Sequence, residues 1–318
     1  MGFLQQDEVK TEDRSWMTPE EKAHYKLLTQ HAAWLDSKPN GVRANLTGST
    51  FSEVHWVKAR LSKAILTNST WVSATLTEAD LSGAELAQAD FRGATLNRVD
   101  FSGADLEQAQ LQQCWLQGAN FSEARISGAS FAGSRMDESR WLEAVLSQCE
   151  FPEAELRAAA LNQARLFGCN FSGAVLDRAN FYNARVQMCR FFQAKLQESH
   201  MTNGQFQDCE FTQADLSEAR FNRADLTRAQ LIRANLHLCD LRQAKLSGAD
   251  LYGADLRGAR LGEAVLMGAD FRDANLRGAK ELTSDQLGSA RTDQTTILPN
   301  GTPGPYIRRS GAERPAMR

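Results

Sequence analysis

Ala79-Asp80-Leu81-Ser82-Gly83-Ala84-Glu85-Leu86-Ala87-Gln88-Ala89-Asp90-Phe91-Arg92-Gly93 decides the fold. In this stretch a large apolar residue recurs every fifth position, at Leu81, Leu86 and Phe91, and a small one stands two places before each. Followed outward, the register runs unbroken from Ala44 to Ala279. Every fifth position from Leu46 to Leu276 is Leu, Phe, Trp, Ile, Met or Val, 47 repeats in all. The small partner is Ala, Ser, Cys, Val or, once, Gly204. A helix needs apolar residues three and four apart, and a half-buried strand needs them two apart. A period of five fits neither. Five residues cannot bury an apolar face alone, so the repeats must stack into a solenoid. The large residue and the small one share a parity and point inward, leaving the other three to face water.

A second period gives the number of sides. Of the 13 phenylalanines at the large inward position, 12 fall on numbers ending in 1, from Phe51 to Phe271, and only Phe206 falls on the other half. Numbers ending in 6 are mostly Leu, as at Leu46, Leu66, Leu76, Leu86, Leu96, Leu106 and Leu116. Leu-type and Phe-type sites therefore alternate, as a four-sided coil of twenty residues requires. Repeats such as Ala44-Asn45-Leu46-Thr47-Gly48, Ala254-Asp255-Leu256-Arg257-Gly258 and Ala274-Asn275-Leu276-Arg277-Gly278 resemble those of the pentapeptide-repeat proteins, a bacterial family, over about three quarters of the chain. The resemblance implies an all-β solenoid: a right-handed quadrilateral β-helix of about 12 coils with short α-helical caps at both ends.

The ends are legible separately. Thr18-Pro19-Glu20-Glu21 reads as an N-cap, a Pro in the first turn and a capping-box Glu. Ala23, Leu27, Leu28, His31, Trp34 and Leu35 then follow at helical spacing, and Pro39-Asn40-Gly41 turns the chain into the first repeat. His31 to Leu35 followed by Gly41 to Leu46 resembles a lead-in of other bacterial members. As a cap it would lay Trp34 and Leu35 over the first coil; the rival reading is a docking or dimerisation helix. Downstream, Lys280-Glu281-Leu282 slips the register by one, and Ser284 to Ala290 reads as a short helix capped by Thr283 or Ser284 and anchored by Leu282 and Leu287. The expected organisation is a disordered N-terminus over 1–17, a capping helix and turn over 18–43, the β-helix over 44–280, a second capping helix over 281–292 and a flexible Pro/Gly/Arg tail over 293–318.

Composition leaves the partner open. The 318 residues carry a net charge of −3, so no bulk polarity points to nucleic acid or a membrane surface. Met1 to Arg14 holds no apolar signal core and no membrane-spanning run appears, so the expectation is a cytoplasmic protein without membrane insertion, with signal-independent secretion left open. All six cysteines, Cys114, Cys149, Cys169, Cys189, Cys209 and Cys239, occupy the small inward site and read as packing residues. Four of them lie twenty residues apart; thiols in a straight row cannot wrap a tetrahedral ion.

No catalytic, metal or cofactor site is expected, and the reading is of a non-enzyme. The histidines have no metal-ligand spacing. Stacked pairs such as Asp80 over Asp100, Glu85 over Asp105 and Asp250 over Asp270 lie on a solvated wall, and Arg165 stands over Arg185 there. What remains is the outer surface. Trp115, Leu142, Pro152, Phe167, Tyr182, Phe192, Ile232 and Tyr252 should face out, with Pro152, Phe192, Ile232 and Tyr252 on one side and Val145 also outward; they are the candidate partner surface. The favoured function is a non-enzymatic protein-binding scaffold or adaptor, which the family resemblance links to bacterial effector secretion. The alternative, from similarity to the fluoroquinolone-resistance members, is a DNA-mimicking protein that binds gyrase or topoisomerase. That role wants a strongly negative face, whereas Arg165, Arg185, Arg190, Lys195 and the arginines from Arg220 to Arg233 make a basic middle. The partner is an unidentified protein, with DNA gyrase as the alternative. Direct nucleic-acid binding is not expected, because the four tail arginines lack interleaved aromatics. A homodimer is left open by the family resemblance.

Overall fold

The computed structural model describes residues 17–316, which fall in two compact units, Met1–Val145 and Leu146–Arg318. Both are built from the same coil. Each repeat closes a β-turn, as where Ala64 N donates to Leu61 O at 3.0 Å, and the residue two places after the large apolar one takes a left-handed conformation. Fourteen of these corners are glycines in the second half of a repeat, such as Gly83 (φ 61°), but Glu, Gln, Asn and Arg also occupy them, as does Leu238 (φ 58°). Successive coils pair in parallel at an offset of twenty residues, for example Asp80 with Asp100 and Asn180 with His200. Twenty residues per coil and five per side make the section four-sided.

The backbone hydrogen bonds of one repeat can be followed completely. Around Leu81, Asp80 N donates to Ala59 O at 2.9 Å, Leu81 N to Asp100 O at 2.8 Å, and Gly83 N to Ser102 O at 2.7 Å. Ala84 N closes the turn to Leu81 O at 3.1 Å. The fifth N–H, on Ser82, donates to the Asp80 carboxylate at 3.0 Å. The same local bond recurs at Asn120, Asn170, Asp215 and Asp255, which is why Asp and Asn favour the position before the large apolar residue.

Every fifth residue from Leu46 to Leu276 is buried. The aromatic ones stack coil on coil: Phe151, Phe171, Phe191 and Phe211 have ring centroids 4.6, 5.0 and 4.8 Å apart and lie within 7° of parallel. Phe121 and Trp141 stack in the first unit at 4.1 Å. Full burial of each such ring contributes about 1.5–3 kcal/mol. The six cysteines are buried and free.

In the first unit, α1 (Pro19–Leu35) begins with the expected capping box between Thr18 and Glu21. Its inward face differs from the periodicity. Leu28 and His31 are buried, Trp34 and Leu35 are half-buried, and Ala23 is exposed. His31 makes the closest tie: Ala44 N donates to its Nδ1 at 3.0 Å, and its Nε2 meets Ser62 O at 3.0 Å. Trp34 stacks on the His31 ring at 5.5 Å. Gly41 packs so tightly on the helix that a Cβ there would lie 2.4 Å from Trp34 N. This unit holds the three-residue strand β1 (Arg125–Ser127) and the first residue of β2 (Val145–Ser147), and the second unit holds β3 (Arg165–Phe167) and β4 (Arg185–Gln187).

In the second unit, α2 (Ser284–Ser289) is capped by Thr283, whose side chain accepts from Gln286 N. Gln286 Nε2 donates to Leu261 O and Ala264 O, both at 2.9 Å, closing carbonyls of the last full coil. Leu282, just before it, and Leu287, within it, are buried. Residues 293–316 depart from the flexible tail expected of their Pro, Gly and Arg content. Ile297 pairs in parallel with Asn275 and antiparallel with Pro303, and Leu298 and Ala312 are buried. Thr296 Oγ1 donates to Phe271 O at 3.0 Å, and the Tyr306 hydroxyl meets Glu313 Oε2 at 2.9 Å and Ser284 Oγ at 2.8 Å. The physical reason is the unpaired edge that any solenoid end presents, which this segment covers. The expected disordered stretch at the N-terminus lies, apart from Met17, outside the described residues; Met17 is buried.

Candidate functional site

Because the inward residues are consumed by packing, side chains free to act lie just before and just after each large apolar residue and at the corners. Among the described residues no group of three or more His, Cys, Asp or Glu side chains is placed to hold a metal ion. No helix there is long and apolar enough to cross a membrane. The stacked like charges form as the register requires: Asp80 with Asp100, Glu85 with Asp105, Asp250 with Asp270, and Arg165 with Arg185. Most carboxylates have local partners. Arg272 forks onto Asp270 and Arg242 onto Asp240, and Arg43 reaches Glu85 at 2.7 Å. Arg228 clasps Asp208 with two bonds of 2.7 Å, and Arg190 holds Glu210 at 2.9 Å, so part of the basic middle is neutralised within the wall.

The outward apolar residues divide in two. Trp115, Leu142, Phe167, Tyr182 and Tyr252 are exposed, and Val145 with them. Pro152, Phe192 and Ile232 are only half-buried to solvent, so the side that carries them presents less apolar surface than the sequence suggests. Trp115 lies under the Arg135 guanidinium at 4.4 Å, which occupies one face of its ring. Among the exposed apolar residues missed in the sequence are Met188, 61% exposed, and Leu238, 48% exposed. Both sit at the left-handed corner (φ 53° and 58°), where the repeat calls for a polar residue or Gly. The signal was in the sequence as a departure from that corner pattern.

In the second unit the exposed apolar residues meet unpaired charge on one face. β3 and β4 pair in parallel with Arg165 against Arg185, Leu166 against Val186 and Phe167 against Gln187. Leu166 and Val186 point inward, and the flanking residues point out. Phe167, on this face, is 48% exposed, and Tyr182, on the neighbouring side centred on Phe181, is 43% exposed. Beside Tyr182 runs a shallow polar groove of about 590 Å³ lined by Asn203, Asn222, Arg223, Arg242 and Gln243. Arg223 Nε donates to Gln243 and Gln243 to Glu263, both at 2.8 Å, so the polar groups flanking that groove are largely bonded to one another.

Comparison with known proteins fits this architecture. The pentapeptide repeat region profile matches residues 44–121, 104–181 and 144–221, and the profile for pentapeptide repeats in eight copies matches 205–243 and 244–280. No curated protein sequence matches the chain. Among solved structures, HetL, a pentapeptide repeat protein involved in heterocyst differentiation regulation from the cyanobacterium Nostoc, is 24% identical over 86% of this chain and 96% of its own, with a TM-score of 0.24. QnrB1, a plasmid-mediated fluoroquinolone resistance protein, is 18% identical over 66% of this chain and 91% of its own, with a TM-score of 0.34. A pentapeptide repeat protein of the Arabidopsis thaliana thylakoid lumen is 27% identical over 38% and 70%, with a TM-score of 0.28. The profile matches span residues 44–280 without a gap, and the chain belongs to the pentapeptide repeat family, with its right-handed quadrilateral β-helix.

Proposed function

We propose that this protein is a non-catalytic scaffold that binds another protein through its outer wall. The observation that carries the reading is the exposure of large apolar side chains, Phe167, Tyr182, Met188 and Tyr252 among them, on a wall whose backbone is bonded coil to coil. Such side chains are costly to leave in water and supply the anchors of protein interfaces. A wall of this kind binds with little ordering of its own backbone, so the gain from burying these groups is not spent on folding. The adaptor reading extends to effector handling in a secreting bacterium. A second reading, a DNA mimic that occupies a topoisomerase, draws on the stacked carboxylates Asp80, Asp100, Glu85 and Asp105 of the first unit.

Crosslinking capture from the native cell, with mass spectrometry, tests both. Enrichment of an effector or secretion component, lost on a Phe167→Asp and Tyr252→Asp double substitution, supports the scaffold. Enrichment of gyrase or topoisomerase IV subunits, unaffected by that pair, replaces it with the second reading. A partner set unchanged by substitutions anywhere on the wall sinks both.

A further inference from the structure

Arg165 and Arg185 are a like-charge pair with no local reason to exist. They stand in register on adjacent strands, one sheet spacing apart, about 4.8 Å. Like charges directly opposite one another destabilise a sheet. Elsewhere in this unit the cost is cancelled: Asp250 stacks on Asp270, but Arg272 neutralises Asp270 through bonds of 2.6–3.0 Å. The guanidiniums of Arg165 and Arg185 are exposed and have no hydrogen-bond or ion-pair partner among the described residues. The bridged residue on the next coil is the neutral Gln205, and the nearest corner carboxylate on that coil, Asp208, is already held by Arg228.

The same face carries its apolar exposure next to these charges. Phe167 is two residues from Arg165, Met188 lies one coil and one residue beyond Phe167, and Tyr182 stands three residues before Arg185, across the Asn183 corner on the neighbouring side. We propose that this face, formed by Arg165, Arg185, Phe167 and Met188, with Tyr182 around the adjoining corner, is a docking site for an acidic amphipathic helix of a partner protein. The proposal rests on the scaffold reading and names the partner's chemistry.

The match is geometric as well as electrostatic. Carboxylates at positions i and i+3 or i+4 of a helix stand about 5–6 Å apart, close to the spacing of the two stacked guanidiniums. Each guanidinium can take one carboxylate in a two-pronged bond. An apolar residue on the adjacent edge of the same helix would cover Phe167 and Met188, which are otherwise left in water. A nucleic-acid strand fits less well. It needs a basic track that follows the backbone for many nucleotides. Here, within this unit, the charge ends after two coils and gives way to Gln205 and the carboxylate of Asp225.

The test is fluorescence anisotropy with the full chain and three labelled probes. The first is a helical peptide of about 15 residues with Glu at i and i+4 and Leu along the adjacent edge. The second has Gln for each Glu, and the third is a single-stranded oligothymidylate. The proteins are the unaltered chain, Arg165→Gln with Arg185→Gln, Phe167→Ser, and Lys195→Gln as a control on another side; unchanged far-UV circular dichroism and melting establish that each is folded. The expected result is saturable binding of the acidic peptide that weakens with salt. It falls at least tenfold in the double variant and in Phe167→Ser, and is unchanged in Lys195→Gln, with no binding of the Gln peptide. The inference is overturned if the double variant binds as well as the unaltered chain, if the Gln peptide binds equally, or if the acidic peptide fails to saturate by about 1 mM. It is also overturned if the oligothymidylate binds more tightly through the same arginines. In crosslinking capture, a partner retained by the double variant sinks this site and spares the scaffold reading. An unaltered chain that captures no protein sinks the scaffold reading itself.

Discussion

Replacing His31 by Leu should loosen the first coil without disturbing distant ones. The ring is buried and joins α1 to the first and last sides of the first coil, accepting from Ala44 N at 3.0 Å and meeting Ser62 O at 3.0 Å. Those two bonds require the neutral tautomer with its proton on Nε2. Leucine keeps most of the volume and neither bond. Leaving the buried Ala44 N–H unpaired costs about 1–3 kcal/mol, and losing the partly buried Ser62 bond costs about 0.5–1.5 kcal/mol. Together they predict about 2–4 kcal/mol, or a rise in amide exchange at Ala44 of roughly 30- to 1,000-fold. Solenoid repeats touch only their neighbours, so exchange at Phe211 should not move. The pH dependence follows with a definite sign. Burial, chiefly, holds the His31 pKa below its usual value of 6.5, helped by Arg43 and Arg60 and opposed by the Ser62 bond and Asp80. Below that pH the unfolded chain takes up the proton before the folded one does. The stabilisation is therefore full above about pH 6.5 and declines as pH falls. Hydrogen exchange at pH 7.5 and 5.5 should show Ala44 protection dropping in the unaltered chain, and no such additional drop in His31→Leu. Reading Ala44 rather than the global melt avoids His200, which burial shifts in the same direction in the second unit. Exchange at Ala44 within about threefold of the unaltered chain, or an unchanged pH slope in the variant, would refute the role assigned to His31.

Gly41→Ala should lower the melting temperature, because its Cβ would meet Trp34 N at 2.4 Å and Ala33 C at 2.7 Å, both backbone atoms that cannot step aside; overpacking of this kind costs about 1–3 kcal/mol in denaturant titration. All six cysteines should resist a water-soluble thiol reagent in the native state and react together only on unfolding. Their burial is complete or nearly so, and burial pushes the Cys114 and Cys209 thiols up to about 12; rapid native labelling of any one would contradict the core assignment. Arg185→Glu should raise stability by about 0.2–1 kcal/mol, turning the Arg165 stack into a cross-strand ion pair, while it abolishes binding of the acidic peptide. A loss of stability in that variant would show that the two arginines are held for structural reasons.

Most of the fold was legible because each repeat solves its packing locally. The inward positions from Leu46 to Leu276, the aromatic columns and the thiol burial all follow from a period that no insertion interrupts. The two ends were legible only in part. Thr18, Leu282 and Leu287 announce themselves through capping and spacing, but the tie made by His31 depends on acceptors and donors thirteen and thirty-one residues away, and no local pattern reports it. Residues 293–316 misled for the opposite reason. Their composition resembles that of a disordered tail, yet Thr296, Leu298 and Tyr306 find partners only because the last coil leaves an edge and a carbonyl to meet them. On the wall, Phe167 and Tyr182 face outward as their spacing indicates, while Phe192 is half-buried. The degree of exposure at such a position is not given by spacing alone.

The position before each large apolar residue explains why the wall can carry a site at all. Asp or Asn there has a structural task, since its side chain accepts the one repeat N–H that neither the turn nor the neighbouring coils bond. A residue that cannot perform this task is released from the repeat's own requirements. Arg165 and Arg185 are two such residues on successive coils, and at both the chain runs on extended, as β3 and β4, to Phe167 and Gln187. Met188 departs similarly at the corner that Gly168 fills one coil earlier. Local departures of different kinds thus fall on one face: a charge where an acceptor belongs, and a large apolar side chain where a polar one or Gly belongs. Each is neutral or costly for the solenoid. Their convergence is what distinguishes a site from the scattered exposure of Val265 or Met267, which stand beside no comparable pair of free arginines.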